Sequence, residues 1–303
     1  MSDSAVEMSQ VTKRFGPKVA VNAVTLSIPQ GQVYGLIGPN GAGKTTAFSM
    51  MCGFLHPSEG SLKVMGVTPT TPGALKGKLG ALPQDALLPP GWEVGELLTY
   101  WARLSALAQP EREAREALDK VGLADAWGTR SEALSHGMAK RTAMAQAMMG
   151  QPPLVLLDEP TAGLDPRVAA QVRQIIRDMK GKQTVVVSSH NLQELEELCD
   201  AAAILDRGTV AKSGTMSELT GQGAEFRIQI ARGEVLTPEL TQLPGVTSAK
   251  MESPGVLLVR FDGQAHKPEE VISRTVGHLL QTGVLILGVH RGQRLEERVL
   301  QIL

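Results

Sequence analysis

The residues best suited to chemistry form one uninterrupted run, Gly38-Pro39-Asn40-Gly41-Ala42-Gly43-Lys44-Thr45-Thr46. It fits the phosphate-binding pattern G-x-x-x-x-G-K-[ST] with both outer glycines, the lysine and the hydroxyl in register. A triphosphate is a dense anion and needs many donors at close range. Glycines let the backbone curl until successive N–H groups point inward, and their missing side chains let phosphates approach. Lys44 offers a cation to the β- and γ-phosphates, and the Thr45 hydroxyl can ligate Mg²⁺.

A second group of candidates lies further along. Pro153-Leu154-Val155-Leu156-Leu157 is an apolar run that delivers two carboxylates, Asp158 and Glu159, at its end. Ligands of open α/β sheets bind outside such strand ends. Asp158 can hold Mg²⁺, usually through water, and Glu159 is placed to orient or activate an attacking water. His190 follows another strand, and Gln84 follows a third in Leu82-Pro83-Gln84-Asp85. Phe15 stands just before a Gly16-Pro17 turn. Its residue type fits either a buried strand position or an exposed aromatic that stacks on an adenine ring.

The elements that must position these groups can be read from patterning. Val33–Ile37 reads as a buried strand entering the phosphate loop, and Ala47–Met51 as the helix leaving it, which is the context the motif requires. Residues 5–37 read as strands punctuated by Gly16-Pro17 and Pro29-Gln30-Gly31. Short strands follow at Ser61–Val64 and Leu79–Leu82. From residue 92 to 149 the pattern turns helical. Val94, Leu97, Leu98, Trp101 and Leu104 share one face of a first helix, Pro110 opens a second that Gly122 ends, and a third begins near Ser135. Asp165-Pro166 reads as N-cap and first helical residue of a helix reaching about Met179. Strand 183–188, helix 192–198 and a hairpin around Asp206-Arg207-Gly208 complete this part.

Near Gly221-Gln222-Gly223 the pattern restarts, which predicts domains 1–221 and 222–303. The second part reads β-α-β-β-α-β, the split βαβ, ferredoxin-like arrangement, closed by a helix over Leu295–Leu303. His266, His278 and His290 fall on separate elements there, so this part is expected to regulate or dimerise and to carry no chemistry.

At 303 residues the chain has room for one large domain and a small one. A net charge of −1 gives no electrostatic footprint for nucleic acid, and the 3% aromatic content leaves few platforms for stacking bases. The two cysteines, Cys52 and Cys199, have no metal-type spacing and fit a reducing cytoplasm. Met1-Ser2-Asp3-Ser4 does not begin a basic-then-apolar leader, and no apolar run is long enough to span a bilayer. Any membrane role is therefore expected to come through a partner.

Taken in order, these residues resemble the nucleotide-binding domain of an ABC transporter from residue 5 to about 220. Gly38–Thr46 corresponds to Walker A and Gln84 to the Q-loop glutamine. Leu134-Ser135-His136-Gly137-Met138 corresponds to the signature motif, usually LSGGQ, with His136 in place of a glycine and Met138 in place of a glutamine. Leu154–Glu159 corresponds to Walker B with its catalytic glutamate, Gly163-Leu164-Asp165 to the D-loop, His190 to the switch histidine and Phe15 to the adenine-stacking aromatic. The resemblance implies an ABC-type P-loop NTPase fold of the α/β class, with a mixed β core and a helical subdomain at about 92–149. It implies an ATPase that uses ATP and Mg²⁺, the metal held by Thr45, Gln84 and Asp158. Two copies, or this chain and a homologue, would sandwich ATP between Walker A of one and Ser135, His136 and Gly137 of the other. The run from Ser189-His190-Asn191-Leu192 to Ile204-Leu205-Asp206-Arg207-Gly208, with the tail Leu295–Leu300, resembles ATPase subunits of multidrug, antibiotic and lipid exporters. Those pair with separate membrane subunits on the inner face of the cell membrane. An importer ATPase of the methionine type, or a soluble ABC protein outside transport, is the alternative.

Overall fold

A computed structural model describes residues 4–220, 225–263, 265–292 and 295–303. The chain divides into two compact units, one reaching Ser213 and the other spanning Gly214–Ile302. The expected boundary at residues 221–223 lies outside the described residues.

In the first unit, β1 (Ser4–Phe15), β2 (Lys18–Pro29), β3 (Val33–Ile37) and α1 (Lys44–Met51) are followed by β4 (Glu59–Val64) and β5 (Leu79–Leu82). The helical insertion comprises α2 (Val94–Leu104), α3 (Pro110–Lys120) and α4 (His136–Met148). Then come β6 (Leu154–Asp158), α5 (Pro166–Met179), β7 (Thr184–Ser188), α6 (Leu192–Leu198), β8 (Ala201–Asp206) and β9 (Thr209–Thr215).

Two sheets are built from these strands. An antiparallel sheet runs β2-β1-β4 and a six-stranded sheet runs β5-β6-β7-β3-β8-β9. Along β5-β6-β7-β3-β8 every neighbouring pair is parallel. β3, β6 and β7 are buried at every position, and their mostly apolar sequences, with Val155–Leu157 and Val185–Val187 at the centres of β6 and β7, are what a parallel sheet covered on both faces demands. Because β6, β7 and β3 are adjacent and parallel, their C-terminal ends open on one edge. That edge receives the phosphate loop after β3, Asp158 and Glu159 at the end of β6, and His190 just beyond β7.

The helical insertion has its own core of Val94, Leu98, Ala114, Ala117, Leu118 and Ala145. Leu104, expected on the buried face of α2, is exposed at the last residue of that helix, although Ala102 in the same turn is buried. Helix α1 begins at Lys44, three residues earlier than patterning suggests.

In the second unit, α7 (Met216–Thr220) precedes β10 (Glu225–Arg232), α8 (Thr237–Leu240), β11 (Val246–Ser253), β12 (Val256–Phe261), α9 (Pro268–Gln281), β13 (Leu285–Arg291) and α10 (Leu295–Ile302). The sheet order is β11-β12-β10-β13 with every neighbouring pair antiparallel. This is the strand order of a split βαβ arrangement, with α8 reduced to a single turn. Phe226, Ile228, Leu257, Val259, Phe261, Val271 and Leu279 form its core. Among the described residues, no helix is long and apolar enough to cross a membrane.

Candidate nucleotide-binding site

The edge described above forms a cleft of about 510 Å³ lined by Lys18, Ala20, Asn40, Gly41, Gly43, Lys44, Thr45, Thr46, Gln84, Asp158, Glu159, Ala162 and His190. Of the expected nucleotide and metal residues it gathers Asn40, Gly41, Gly43, Lys44, Thr45, Thr46, Gln84, Asp158, Glu159 and His190. Gly38 and Pro39 contribute carbonyls below the rim, and Ala42 is buried. Phe15 stands outside this lining but is 46% exposed, with the Lys13 ammonium 5.2 Å from its ring centroid. Of its two sequence readings, the buried strand position is thus the one that does not hold.

The loop is shaped to take an anion. Gly43 is the N-cap of α1 at φ +104°, a conformation that L side chains rarely adopt, and a methyl group there would stand 2.6 Å from the Ala20 carbonyl oxygen. No side chain caps the helix, so the first-turn N–H groups of α1 face the cleft without a protein side-chain acceptor. Lys44 is 9% exposed, and its Nζ donates to the carbonyls of Gly38 at 2.6 Å and Pro39 at 3.2 Å. Burial pulls its pKa below the ordinary lysine value, against the opposing pull of Glu159 and Asp158.

The carboxylates are buried opposite this cation. Asp158 is 3% exposed, and burial raises its pKa, reinforced by the neighbouring Glu159. Hydrogen bonds from the Ser188 and Thr45 hydroxyls and the charge of Lys44 act the other way. A hydroxyl and a buried carboxylate already in contact, with the Gln84 amide on the same cleft, make an all-oxygen donor set suited to Mg²⁺. Among the described residues no group of three or more His, Cys, Asp or Glu is placed to hold a metal ion.

Glu159 sits at φ +52°, a left-handed conformation that is uncommon for a glutamate. Its N–H donates to the Ser188 carbonyl at 3.2 Å and to Ser188 Oγ at 3.1 Å. Its Oε2 lies 2.8 Å from Nδ1 of His190, whose side chain is 73% exposed. A carboxylate oriented by an imidazole at the mouth of a phosphate cleft is the arrangement that water activation requires.

The signature residues lie elsewhere on the unit. Ser135 is the N-cap of α4, its Oγ accepting from the Met138 N–H at 3.3 Å. The first turn of α4 packs on the Gly163-Leu164 segment: a methyl group on Gly163 would stand 3.1 Å from His136 Nε2, and one on Gly137 would stand 3.5 Å from Leu164 Cδ2. Asp165 is exposed and caps α5, accepting from Arg167 and Val168 N–H at 3.1 Å. Ser135, His136, Gly137 and Asp165 thus do not line the cleft of their own chain.

Two buried charges of the first unit, Lys140 and Glu194, have no site role in the sequence reading, where Glu194 enters only through the resemblance to exporter ATPase subunits. Lys140 of α4 is 8% exposed and donates to the Ala162 carbonyl at 3.0 Å; burial lowers its pKa against the pull of Glu159, Asp158 and Asp85. Glu194 of α6 is 7% exposed. Their burial is shown by partners on other segments, the Ala162 carbonyl for Lys140 and the Thr161 and Arg173 side chains for Glu194.

Comparison with known proteins agrees with this geometry. The family described as ABC transporter matches residues 21–162. The linearmycin resistance ATP-binding protein of Bacillus subtilis (strain 168) is 30% identical over 273 residues, covering 88% of each chain. The Nod factor export ATP-binding protein I of Burkholderia thailandensis is 31% identical over 304 residues, covering 93% of this chain and all of that one. A solved structure of the ATP binding subunit of an ABC transporter superposes with a TM-score of 0.67 at 26% identity, covering 72% of this chain and 93% of the other. The strand-edge cleft, the ordered motifs around it and relatives aligned over nearly their whole length place this chain in the ABC transporter family, among its ATP-binding subunits.

Proposed function

We propose that this chain hydrolyses ATP at the cleft to drive an exporter whose membrane-spanning part is a separate subunit. The observation that carries the reading is the Glu159–His190 pair, 2.8 Å apart, on the same cleft as Lys44, Thr45 and Asp158. A site that only holds nucleotide has no need of an oriented carboxylate there. The similarity to a Nod factor export ATP-binding protein and a linearmycin resistance ATP-binding protein favours an exporter over an importer.

In this reading the loop N–H groups of residues 40–46 receive the phosphates, and Lys44 leaves the carbonyls of Gly38 and Pro39 for the β- and γ-phosphate oxygens. Phe15 stacks on the adenine. Thr45, Asp158 and Gln84 would hold Mg²⁺, which would supply charge neutralisation to the phosphates. Glu159 accepts the proton of the attacking water, and His190 keeps the carboxylate turned toward it. Ser135, His136 and Gly137 lie outside the lining of their own cleft and serve the ATP of a second copy, the first-turn N–H groups of α4 not taken by the Ser135 cap meeting its γ-phosphate. Asp165 lies at the same face. The chain then works at the inner surface of the membrane through its partner.

Isolation of the tagged full-length chain from membranes in mild detergent tests this. A polytopic membrane protein should copurify, and the complex should hydrolyse ATP. Recovery of the chain alone, or with ribosomes, contradicts the transport role.

A further inference from the structure

Glu194 touches nothing in the phosphate cleft, yet it is buried, and a buried carboxylate persists only when hydrogen-bonded partners offset its desolvation. Its partners come from three segments. Thr161 Oγ1 donates to Oε2 at 2.6 Å, Arg173 Nη1 of α5 donates to Oε1 at 2.5 Å, and Ser189 Oγ approaches Oε2 at 3.4 Å. The Glu194 N–H donates to Asn191 Oδ1 at 3.2 Å, which fixes α6 at its first turn.

The placement of those partners is the point. Thr161 lies two residues after Glu159, and Ser189 immediately precedes His190. One carboxylate therefore ties the two loops whose side chains meet at the cleft. Glu159 is also held at a positive φ, and a strained residue persists only when its surroundings fix it from both sides. Upstream, its N–H is pinned to Ser188. Downstream, the first side-chain anchor is the Thr161 hydroxyl on Glu194.

We propose that Glu194 is a positioning residue for hydrolysis: through Thr161 and Ser189 it holds Glu159 and His190 in register, and it acts on turnover and not on nucleotide affinity. The proposal rests on Glu159 being the carboxylate that activates water. A purely structural role for the Arg173–Glu194 ion pair is the competing account.

Thr161→Val separates the two accounts, because it removes the hydroxyl donor at nearly constant shape and leaves the ion pair intact. In the full-length chain, Thr161→Val should bind ATP as the wild type does while kcat falls by roughly 10–100-fold, the scale of a small misplacement at a reacting centre. Thr161→Ser, which keeps the hydroxyl, should restore kcat. A folded Thr161→Val with wild-type kcat, a Thr161→Ser as slow as Thr161→Val, or a defect confined to ATP affinity would each overturn the proposal. If Thr161→Val does not fold, Ser189→Ala removes the tie from the histidine side and is read the same way, wild-type kcat counting against the proposal. Glu159→Gln in the same assay keeps the two readings distinct. Wild-type turnover by Glu159→Gln would overturn the assignment of the catalytic carboxylate, whereas an inactive Glu159→Gln beside a fully active Thr161→Val would overturn the positioning role alone.

Discussion

Lys44 illustrates how single residues at this site trade stability for function. It is an ammonium held by two carbonyls, without an ion pair, in a place that lowers its pKa by burial. The unfolded chain therefore holds the proton more tightly than the folded one. Stability is withheld at neutral pH and returns as pH rises through the lowered folded value toward the ordinary 10.5. Lys44→Met removes that penalty. Thermal unfolding of the nucleotide-free variant at neutral pH should occur at or above the wild-type temperature, with the gap closing toward pH 10.5. Nucleotide titration of the same variant should show a loss of about 1.5–3 kcal/mol or more, the worth of one hydrogen bond to a charged group. A variant that binds ATP as tightly as wild type contradicts the role given to Lys44. At this scale the sequence was most legible where chemistry restricts residue type: Lys44, Thr45, Asp158, Glu159 and His190 do share one cleft. It was least legible for Lys140 and Glu194. Nothing local distinguishes a buried charge from a solvated one, since its burial is decided by segments such as Ala162 and Arg173 that lie far along the chain.

Among the elements, the helix starts carry the functional load. Asp165 terminates the Gly163-Leu164-Asp165 loop and caps α5 with one carboxylate oxygen on two N–H groups. Asp165→Ala should lower the urea midpoint by the worth of an N-cap, about 0.5–2 kcal/mol, while Asp165→Asn keeps most of it. An unchanged midpoint for Asp165→Ala would mean that the cap is replaced by solvent at no cost. This cap was readable because Asp-Pro combines an N-cap side chain with a residue suited to the first helical position. The start of α1 was not, because Lys44-Thr45-Thr46 serve both loop and helix and the turn into them is made by a left-handed Gly43, where the Ala20 carbonyl leaves no room for a side chain. Leu104 was also misplaced: periodicity puts it on the face of Val94, Leu97 and Leu98, but it is exposed at the end of α2.

For the whole molecule, the two compact units divide the labour in the proposed account. The cleft and its carboxylates belong entirely to the first, so a chain ending near Gly223 should retain basal ATP hydrolysis. A folded truncation that binds ATP yet does not turn over would move part of the catalytic site into the second unit. The most direct test of the central claim is the assembly state of Glu159→Gln in Mg-ATP, followed by light scattering after size exclusion together with phosphate release. The amide keeps the size of the side chain but cannot accept the water's proton. Asp158 and Lys44 remain to hold nucleotide, and loss of a positioned base slows a reaction by roughly 10²–10⁴-fold. The account predicts a variant that binds Mg-ATP, releases almost no phosphate and accumulates as a closed pair of copies. Phosphate release at the wild-type rate, with no accumulation of the pair, would contradict it.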